Sequence, residues 1–512
     1  MKRAGLLLAE RHYGAMTSFL FYDIETTGLN TAFDQVLRFA AVRTDPGFAE
    51  LDRHTLRIRL RPDVVPSPDA VLTHGISITD MLEGEREVDA VRSVHRLLNT
   101  PGTISLGYNT LGFDDEMLRF SFYRNLLPPY THQYDNGCRR MDLLPMVLLY
   151  RLHRPEVLQW PEPDGKPSLK LEHLNAANAL CEGTSHHALN DACATVELAR
   201  RLSTHRRMWE YLCGFFHKPS DIRRMEKLPP VLTSAYGNHC KALMIATEFG
   251  PNQQYQAPVL SLGPSIPYKN QTLWLRLDLP DLRNADEENV EDATWVLRKK
   301  AGETGLLLPP LDRYWNLMDT SRKEAVRENL EWIRSNPSAL ETIVDFHRNY
   351  RYPEVPELDV DAALYVQEFP SRREESLLRQ FHAASVAERF LLVERFPRQT
   401  HRHLAERLLL RNYPDQLPDD WNRRFSALSA AVNPATEDQA MVDFRGRRKA
   451  TPRSVAHRVE QLLVQPGLKP EHRKLLEELS DYLITTFTIR TGDGNGTHSS
   501  DFGHSASGSD PR

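Results

Sequence analysis

The stretch FYDIETTGLN, residues 21–30, resembles a buried strand but carries two acidic side chains, Asp23 and Glu25. Residues two apart in a strand project from the same face, so the two carboxylates lie side by side. Adjacent carboxylates on a buried face repel each other and lose solvation unless a cation lies between them, and hard divalent cations prefer oxygen ligands. The pair therefore indicates a metal site. The alternative is a strand end from which both side chains point into water.

Two later stretches supply further acidic candidates. Asp114 follows Phe113 where a strand-like run passes into a helix, although acidic residues are also common in a first helical turn. Asp191 lies near the start of an amphipathic helix, just after His186 and His187, where a capping pair is the alternative. The three stretches together, D-x-E, F-D and H-x-A-x-x-D in that order, favour one shared site.

Composition limits the class of protein. The chain has 512 residues, 64 Lys and Arg against 69 Asp and Glu, and a formal net charge of -5. Any nucleic-acid binding therefore depends on a local arrangement of charge. Five cysteines without a C-x-x-C pair predict reduced thiols and a cytoplasmic protein, and argue against a zinc ribbon or a disulfide framework. The apolar run near the start is too short for a secretory signal, and no stretch is apolar enough to predict a membrane span.

The length of the chain and the changes in its sequence pattern predict three domains with flanking segments. Alternating short apolar runs and helical patterns over 18–206 predict an α/β domain with a mixed sheet. Strand-like runs punctuated by Pro and Gly predict a β-rich domain over 207–355, and residues 356–490 are predicted to be helical. Residues 1–17 form an N-terminal extension, and the tail 491–512, rich in Gly, Ser and Asp, is predicted to be disordered.

Four longer motifs resemble one family. They are GYNTLGFDDEMLRFSFYRNLLPPY (107–130), LEHLNAAN (171–178), NLEWIRSNP (329–337) and DVDAALY (359–365). Their sequence and order resemble the exodeoxyribonuclease I family of DEDD exonucleases with a catalytic histidine, from about residue 19 to about 483. The resemblance implies a ribonuclease H-like α/β core, a small Src-homology-like β-rich domain and an all-α C-terminal domain. In that family the three domains form a C-shaped molecule around a groove for single-stranded DNA.

The resemblance assigns roles to the acidic residues. It implies that Asp23, Glu25, Asp114 and Asp191 bind two divalent ions, Mg²⁺ with Mn²⁺ as a substitute. It also implies that His186 is the general base. Helical geometry favours His187, four residues before Asp191, because His186 lies roughly 140° around the helix from it. We follow the family pattern, which requires His186 to precede the regular helix.

The same resemblance suggests contacts to the substrate. The predicted substrate-binding residues, for which ordinary loop packing is the alternative, are Glu25, Thr26, Thr27, Gly28, Leu72, His74, Tyr108 and Asn109. Thr26 to Gly28 would hold the terminal nucleotide, since a small loop allows close backbone approach. The densest basic run, FRGRRKATPR at 444–453, is either a solvated loop or a DNA contact.

The implied activity is 3′→5′ degradation of single-stranded DNA to 5′-mononucleotides, in DNA repair and recombination. The implied partner is the acidic C-terminal tail of the single-strand DNA-binding protein, and a monomer is expected. One alternative is an exoribonuclease or a proofreading subunit of the same superfamily, although such chains end soon after the third motif. Another is a phosphotransferase with D-x-D-x-T, which Glu25 disfavours. A catalytically silent DNA-binding scaffold would have lost acidic positions or the histidine.

Overall fold

The computed structural model describes residues 17–182 and 187–487. Its first domain is built on a five-stranded sheet of order β3-β2-β1-β4-β5. β1 is antiparallel to β2 but parallel to β4, so the sheet is mixed, as predicted. The strands are β1 (Ser18–Thr26), β2 (Val36–Thr44), β3 (Glu50–Arg57), β4 (Thr103–Gly107) and β5 (Arg139–Asp142).

Helices cover both faces of this sheet. Phe19 and Phe21 on one face of β1 pack with α5 to α8, whereas Leu20 and Tyr22 on the other face pack with α3 and α4. Side chains of β1 alternate between the two faces of the sheet and therefore contribute to two separate cores. The helices are α1 (Pro68–His74), α2 (Ile78–Leu82), α3 (Glu87–Leu98), α4 (Asp114–Arg124), α5 (Leu143–His153), α6 (Leu171–Asn178), α7 (Ala188–Ser203), α8 (Arg206–Cys213) and α9 (Lys218–Glu226).

The second domain is an antiparallel β-sheet domain, which confirms the predicted β-rich region. Its strand order is β10-β9-β8-β7-β11, with β6 paired to β7. Four helices accompany the sheet, and α12 and α13 contribute to the core on one of its faces. The elements are β6 (Pro230–Ser234), β7 (Gly237–Ile245), β8 (Gln256–Pro264), β9 (Gln271–Arg276), α10 (Val290–Ala293), β10 (Val296–Lys300), β11 (Leu306–Leu308), α11 (Asp312–Trp315), α12 (Thr320–Ser335) and α13 (Pro337–Asn349).

The C-terminal region is helical, as predicted, and it packs on the first domain in two places. Phe120 and Tyr123 of α4 share a core with α14 and α16, and Val71 and Met81 of α1 and α2 share one with α18 and α19. The region begins with the 3-10 helix Val360–Tyr365. Its helices are α14 (Arg372–Ala383), α15 (Val386–Leu392), α16 (Gln399–Asn412), α17 (Asp419–Val432), α18 (Pro452–Leu463) and α19 (Pro470–Phe487).

The packing suggests one change to the domain limits. Trp209, Leu212 and Phe215 follow the predicted boundary at 206 but are buried in a core that lies mostly in the first domain and also reaches β7 and β11, and the Trp209 ring packs edge-on against Phe48 of the first domain. We therefore propose that this domain extends through α8 to about residue 217, and we keep the other limits as proposed. Apart from Thr17, the predicted extension 1–17 lies outside the described residues, as does the tail 491–512. Within the described ranges, no helix combines the length and apolar character needed to cross a bilayer.

Candidate active site

One face of β1 is apolar along most of the strand and acidic at its C-terminal end. Asp23 and Glu25 continue the face that carries Phe19 and Phe21, and all four project toward α7. Asp23 pairs with Ala40 of β2, and Glu25 pairs with Arg38. The register shifts directly after Glu25, so the regular ladder ends at the second carboxylate. Both side chains therefore lie where β1 ends, at the end of the sheet to which the carboxyl end of this central strand points.

α7 brings the third carboxylate to the same place. Small buried side chains such as Ala192 and Ala199 let the helix approach β1 and β2 closely. Asp191 lies in its first turn, and the Asp191 amide donates a hydrogen bond to the carbonyl of His187 at 3.2 Å. Oxygen atoms of Asp23, Glu25 and Asp191 lie within 4.8 Å of one another, a spacing that a single cation can bridge.

Asp114 completes the acidic group from the neighbouring strand. β4 runs parallel to β1, so the carboxyl ends of both strands lie at one edge of the sheet. Asp114 begins α4 shortly after β4 ends and is 8% exposed. Its charge raises the pKa of Asp23. The structure therefore brings together all four predicted carboxylates, although Asp114 lies outside the group of three within 4.8 Å.

The electrostatics of this group favour a bound cation. Burial, followed by the charges of Asp114, Glu25 and Asp191, raises the pKa of Asp23 well above its ordinary value. Burial and then Asp191 raise the pKa of Glu25 to about 8, against the opposing effect of Arg38. A divalent ion would reverse both effects by supplying positive charge among the oxygens. The residues present therefore fit the predicted metal.

The loop after β4 is held by a residue that sequence reasoning missed. Asp142, fully buried at the end of β5, accepts hydrogen bonds from the amides of Asn109 at 2.9 Å and Leu111 at 3.0 Å. Asn109 adopts a positive φ of 64°. Gly107 is required before it, because a Cβ there would lie 2.6 Å from the carbonyl oxygen of Tyr22. The only available signal for Asp142 was an acidic residue between a strand and a helix.

The loop after β1 is equally constrained. The Thr27 hydroxyl donates to Asp34 Oδ1 and accepts from the Gln35 amide, both at 2.9 Å, so its single donor is already used within the loop. The Thr26 hydroxyl donates to the carbonyl of Gly28 at 2.8 Å. A Cβ on Gly28 would lie 2.6 Å from Asp34 Oδ2. Gly28 is therefore needed for the close packing of Asp34 inside the loop, while a close approach of the backbone to substrate stays a prediction. Asp34 is a second residue that sequence reasoning missed.

The segment with the predicted substrate contacts Leu72 and His74 lies beside this loop. The Ser67 amide, immediately before α1, donates to the carbonyl of Thr27 at 2.7 Å. Leu72 is partly buried against the core shared with α18 and α19. His74 Nδ1 accepts a hydrogen bond from the Ile76 amide at 3.0 Å. Neither side chain lines the cleft described next, and their contact with substrate stays a prediction.

A cleft of about 580 Å³ opens above the carboxylates. Among the predicted site residues, Asp23, Tyr108, Asn109 and Asp191 line it. The Tyr108 hydroxyl donates to the carbonyl of Leu169, which also borders the cleft. Sequence reasoning missed the lining residues around the start of α6 and in the β-sheet domain, namely Ser168, Lys170, Glu172, Thr247 and Tyr255. The quoted LEHLNAAN motif, which contains Glu172 and follows Ser168 and Lys170, was the only signal for the first three.

Only one of the two adjacent histidines is described. His187 is the N-cap residue of α7, and its carbonyl accepts from the Asn190 amide at 2.7 Å as well as from Asp191. Its Nδ1 is buried and has no hydrogen-bond partner within the described part of the chain. His186, the predicted base, lies outside the described residues. Its assignment therefore stays a prediction.

The basic run at 444–453 is a docked loop. Phe444 stacks on Phe120 of α4 with ring centroids 5.3 Å apart. Arg445 pairs with Glu116 at 2.9 Å, and Arg447 pairs with Asp443 at 2.8 Å. Both side chains nevertheless keep about half of their surface exposed, 51% for Arg445 and 46% for Arg447, which fits the solvated loop. Contact of this run with DNA stays a prediction.

Comparison with known proteins supports the geometry. A family model described as "Exonuclease" matches residues 20–199, the part of the chain that holds the four carboxylates. Exodeoxyribonuclease I of Escherichia coli K12 is 30% identical over 372 residues, covering 68% of this chain and 76% of that protein. The chain belongs to the exodeoxyribonuclease I family.

Solved structures extend the similarity to the other domains. The crystal structure of E. coli exonuclease I in complex with a dA16 oligonucleotide matches with a TM-score of 0.77 and 25% identity, covering 92% of this chain and 100% of that one. Exonuclease I from Methylocaldum szegediense shows the same fold, with a TM-score of 0.75 at 23% identity. As a member of the exodeoxyribonuclease I family, the chain is a 3′→5′ exonuclease with a metal-dependent exonuclease domain.

Proposed function

We propose that the enzyme hydrolyses single-stranded DNA from its 3′ end and releases 5′-mononucleotides, using two Mg²⁺ ions that Mn²⁺ can replace. The observation that carries the proposal is the convergence of four carboxylates, two of which, Asp23 and Asp191, line one open cleft. The match over 92% of the chain to an exonuclease I that holds an oligonucleotide supports the choice of substrate. DNA repair and recombination are the expected setting, and the five free cysteines fit the predicted cytoplasmic location.

Each part of the site has a proposed task. Asp23, Glu25, Asp114 and Asp191 hold the divalent ions, which when bound stabilise charge on the scissile phosphate and activate the attacking water. Tyr108 and Asn109 orient the terminal sugar from the floor of the cleft. The backbone around Gly28 approaches the terminal nucleotide. His186 is the proposed base that takes the proton from the attacking water.

A second proposal concerns the partner. We expect the acidic tail of the single-strand DNA-binding protein to bind basic side chains of the β-sheet domain and C-terminal region, with its terminal Phe in an apolar pocket. Lys241 lies 4.3 Å from the centre of the Trp315 ring, and Arg313 lies 4.7 Å from that of Tyr314. The pair of Lys241 with the partly exposed Trp315 combines positive charge with apolar surface, whereas Tyr314 is buried and leaves only the charge of Arg313 at the surface. Binding there should weaken with salt. Titration calorimetry with the tail peptide tests this, and the absence of heat at low salt would refute it.

A single nuclease assay separates the candidate functions. Purified enzyme, expected to be a monomer by light scattering, is mixed with Mg²⁺ and 5′-labelled single-stranded DNA, duplex DNA or RNA, and the products are resolved by size. We expect progressive shortening of single-stranded DNA alone. Faster cleavage of RNA would favour the exoribonuclease alternative, and binding without shortening would favour the silent scaffold. Cleavage of circular single strands would refute an exonuclease that needs a free end.

A further inference from the structure

The first turn of α4 carries three consecutive acidic residues, Asp114, Asp115 and Glu116, and the proposed chemistry uses only the first. Successive residues on a helix point about 100° apart, so the three side chains face different directions. Asp115 is 1% exposed, and the Glu116 side chain is 12% exposed. The largely buried carboxylates of Asp115 and Glu116, next to the proposed metal ligand Asp114, require hydrogen-bonding or charged partners. Those partners indicate the role of each carboxylate.

Asp115 connects α4 to the β-sheet domain. Its carboxylate accepts hydrogen bonds from Arg140 and His132, the latter at 2.9 Å, and lies 3.1 Å from Arg119 Nε. Arg140 also donates to Glu303 Oε1 at 3.0 Å, and Glu303 belongs to the turn between β10 and β11. A continuous chain of charged hydrogen bonds therefore runs from the first turn of α4 into the second domain.

Glu116 connects the same turn to the C-terminal region. Arg445 Nη2 donates to both Glu116 oxygens, at 2.9 and 3.2 Å, and the Tyr365 hydroxyl donates to Oε1 at 2.8 Å. The Thr31 hydroxyl, on the loop that follows Gly28, donates to Oε2 at 3.0 Å. One carboxylate therefore joins α4, the loop beside the cleft and two segments of the C-terminal region.

Stabilisation of the helix start does not explain this arrangement. Acidic residues in a first turn interact favourably with the helix dipole even when they remain in water. Here Glu116 takes partners directly from the C-terminal region, and Asp115 is linked to the β-sheet domain through Arg140. Asp114 shares this first turn with Asp115 and Glu116, so a shift of the turn would carry Asp114 away from Asp23 and Glu25 on β1. Contacts from outside the first domain oppose that displacement.

We propose that Asp115 and Glu116 are positioning residues, through which the β-sheet domain and the C-terminal region hold Asp114 close enough to Asp23 for divalent ions to bind. The inference rests on the proposed metal site. Outer contacts that orient metal ligands typically contribute 10- to 100-fold to metal affinity. The added domains would then complete the metal site as well as contact DNA.

The test measures Mn²⁺ affinity without DNA, by electron paramagnetic resonance of the free ion. Two variants, Arg445→Gln and Glu303→Gln, each remove one contact between α4 and another domain without changing a residue of α4. We expect each to weaken Mn²⁺ binding about tenfold. Arg458→Gln is the matched control. Arg458 also pairs across a domain boundary, with Asp69 at 2.8 Å, and is 43% exposed against 51% for Arg445. Its loss should leave Mn²⁺ affinity unchanged, because its partner lies on α1.

Two further measurements distinguish positioning from folding. In Glu116→Gln the Mg²⁺ concentration for half-maximal activity should rise, while kcat at saturating Mg²⁺ recovers most of the parent value. Arg445→Lys, which keeps the cation, should restore part of the affinity lost in Arg445→Gln. Variants with lower melting temperatures but parental Mn²⁺ affinity would overturn the inference and leave a structural role only. Asp23→Asn should abolish the Mn²⁺ binding of the parent enzyme. If the parent shows no binding that this variant loses, the proposed function itself fails, and that result is distinct from failure of the positioning role.

Discussion

Asp142 accepts hydrogen bonds from the backbone amide of Asn109 and thereby fixes the loop that leads from β4 to α4. The carboxylate is fully buried, and burial raises its pKa to about 6 against the opposing effect of the amide hydrogen bonds. Asp142, which is not one of the four proposed metal ligands, therefore determines the position of Asn109. It also influences the position of Asp114, which follows Leu111 by three residues.

Replacing Asp142 by Asn should reduce both stability and activity. The amide group presents an N–H donor where the loop amides also donate, so at least one buried donor loses its partner, at a cost of about 1–3 kcal/mol. We expect a lower free energy of unfolding and a fall in kcat greater than any rise in KM, since loop geometry acts on the reacting groups. Urea unfolding and steady-state kinetics measure these effects. Unchanged kcat in a destabilised variant would contradict the assigned role of the loop.

Asp23→Asn should lower turnover by about 10³-fold or more while single-strand binding persists, because one neutralised ligand removes much of the field that holds the ions. The same change should raise the melting temperature of the metal-free enzyme, since it relieves repulsion from Asp114, Glu25 and Asp191. Calorimetry in EDTA checks the second effect. A variant that keeps a tenth of the parental rate at saturating Mg²⁺ would refute the ligand assignment.

His186→Ala should cost roughly two to four powers of ten in rate, the usual scale for a general base. His187→Ala should cost far less, because the His187 side chain makes no capping hydrogen bond to α7 and is expected to serve packing or solvent contact beside the helix start. The rates of the two variants are compared after melting temperatures confirm that both fold, and the parent's pH–rate profile should lose a near-neutral pKa only in His186→Ala. Greater damage from His187→Ala would show that helical geometry, and not the family pattern, identifies the base.

The C-terminal region should loosen from the first domain in mild acid. His382 Nε2 contacts the carbonyl oxygen of Leu126 at 3.2 Å, and burial lowers the pKa of His382 from 6.5 to about 4. The folded state therefore binds fewer protons than the unfolded state, so this contribution is complete above pH 6.5 and is lost as pH falls toward 4. The loss is on the order of 3 kcal/mol at most.

His382→Gln keeps a donor for Leu126 but cannot become charged, so its free energy of unfolding should fall less steeply over the same pH range. Chemical denaturation at several pH values measures the slope in both proteins. Equal slopes would show that His382 does not control this part of the acid response.

The sequence alone determined the chemical type of the site. The strand period places Asp23 and Glu25 on one face whatever surrounds them, and mutual repulsion makes a cation the natural partner. The order of the later motifs, with the family resemblance, indicated Asp114 and Asp191. Alternating apolar runs were enough to predict a mixed sheet, a β-rich domain and a helical C-terminal region, because these patterns are local properties of the chain.

Only the tertiary structure decided which other residues support that site. Asp142 lies 33 residues after Asn109 and Arg445 lies 329 residues after Glu116, and no local period links such pairs. The run at 444–453 carries the charge expected of a DNA contact, yet burial of Phe444 against Phe120 turns Arg445 toward a carboxylate. Pairing between distant side chains depends on how the domains dock, and docking is set by the shapes of assembled surfaces that the local sequence does not encode.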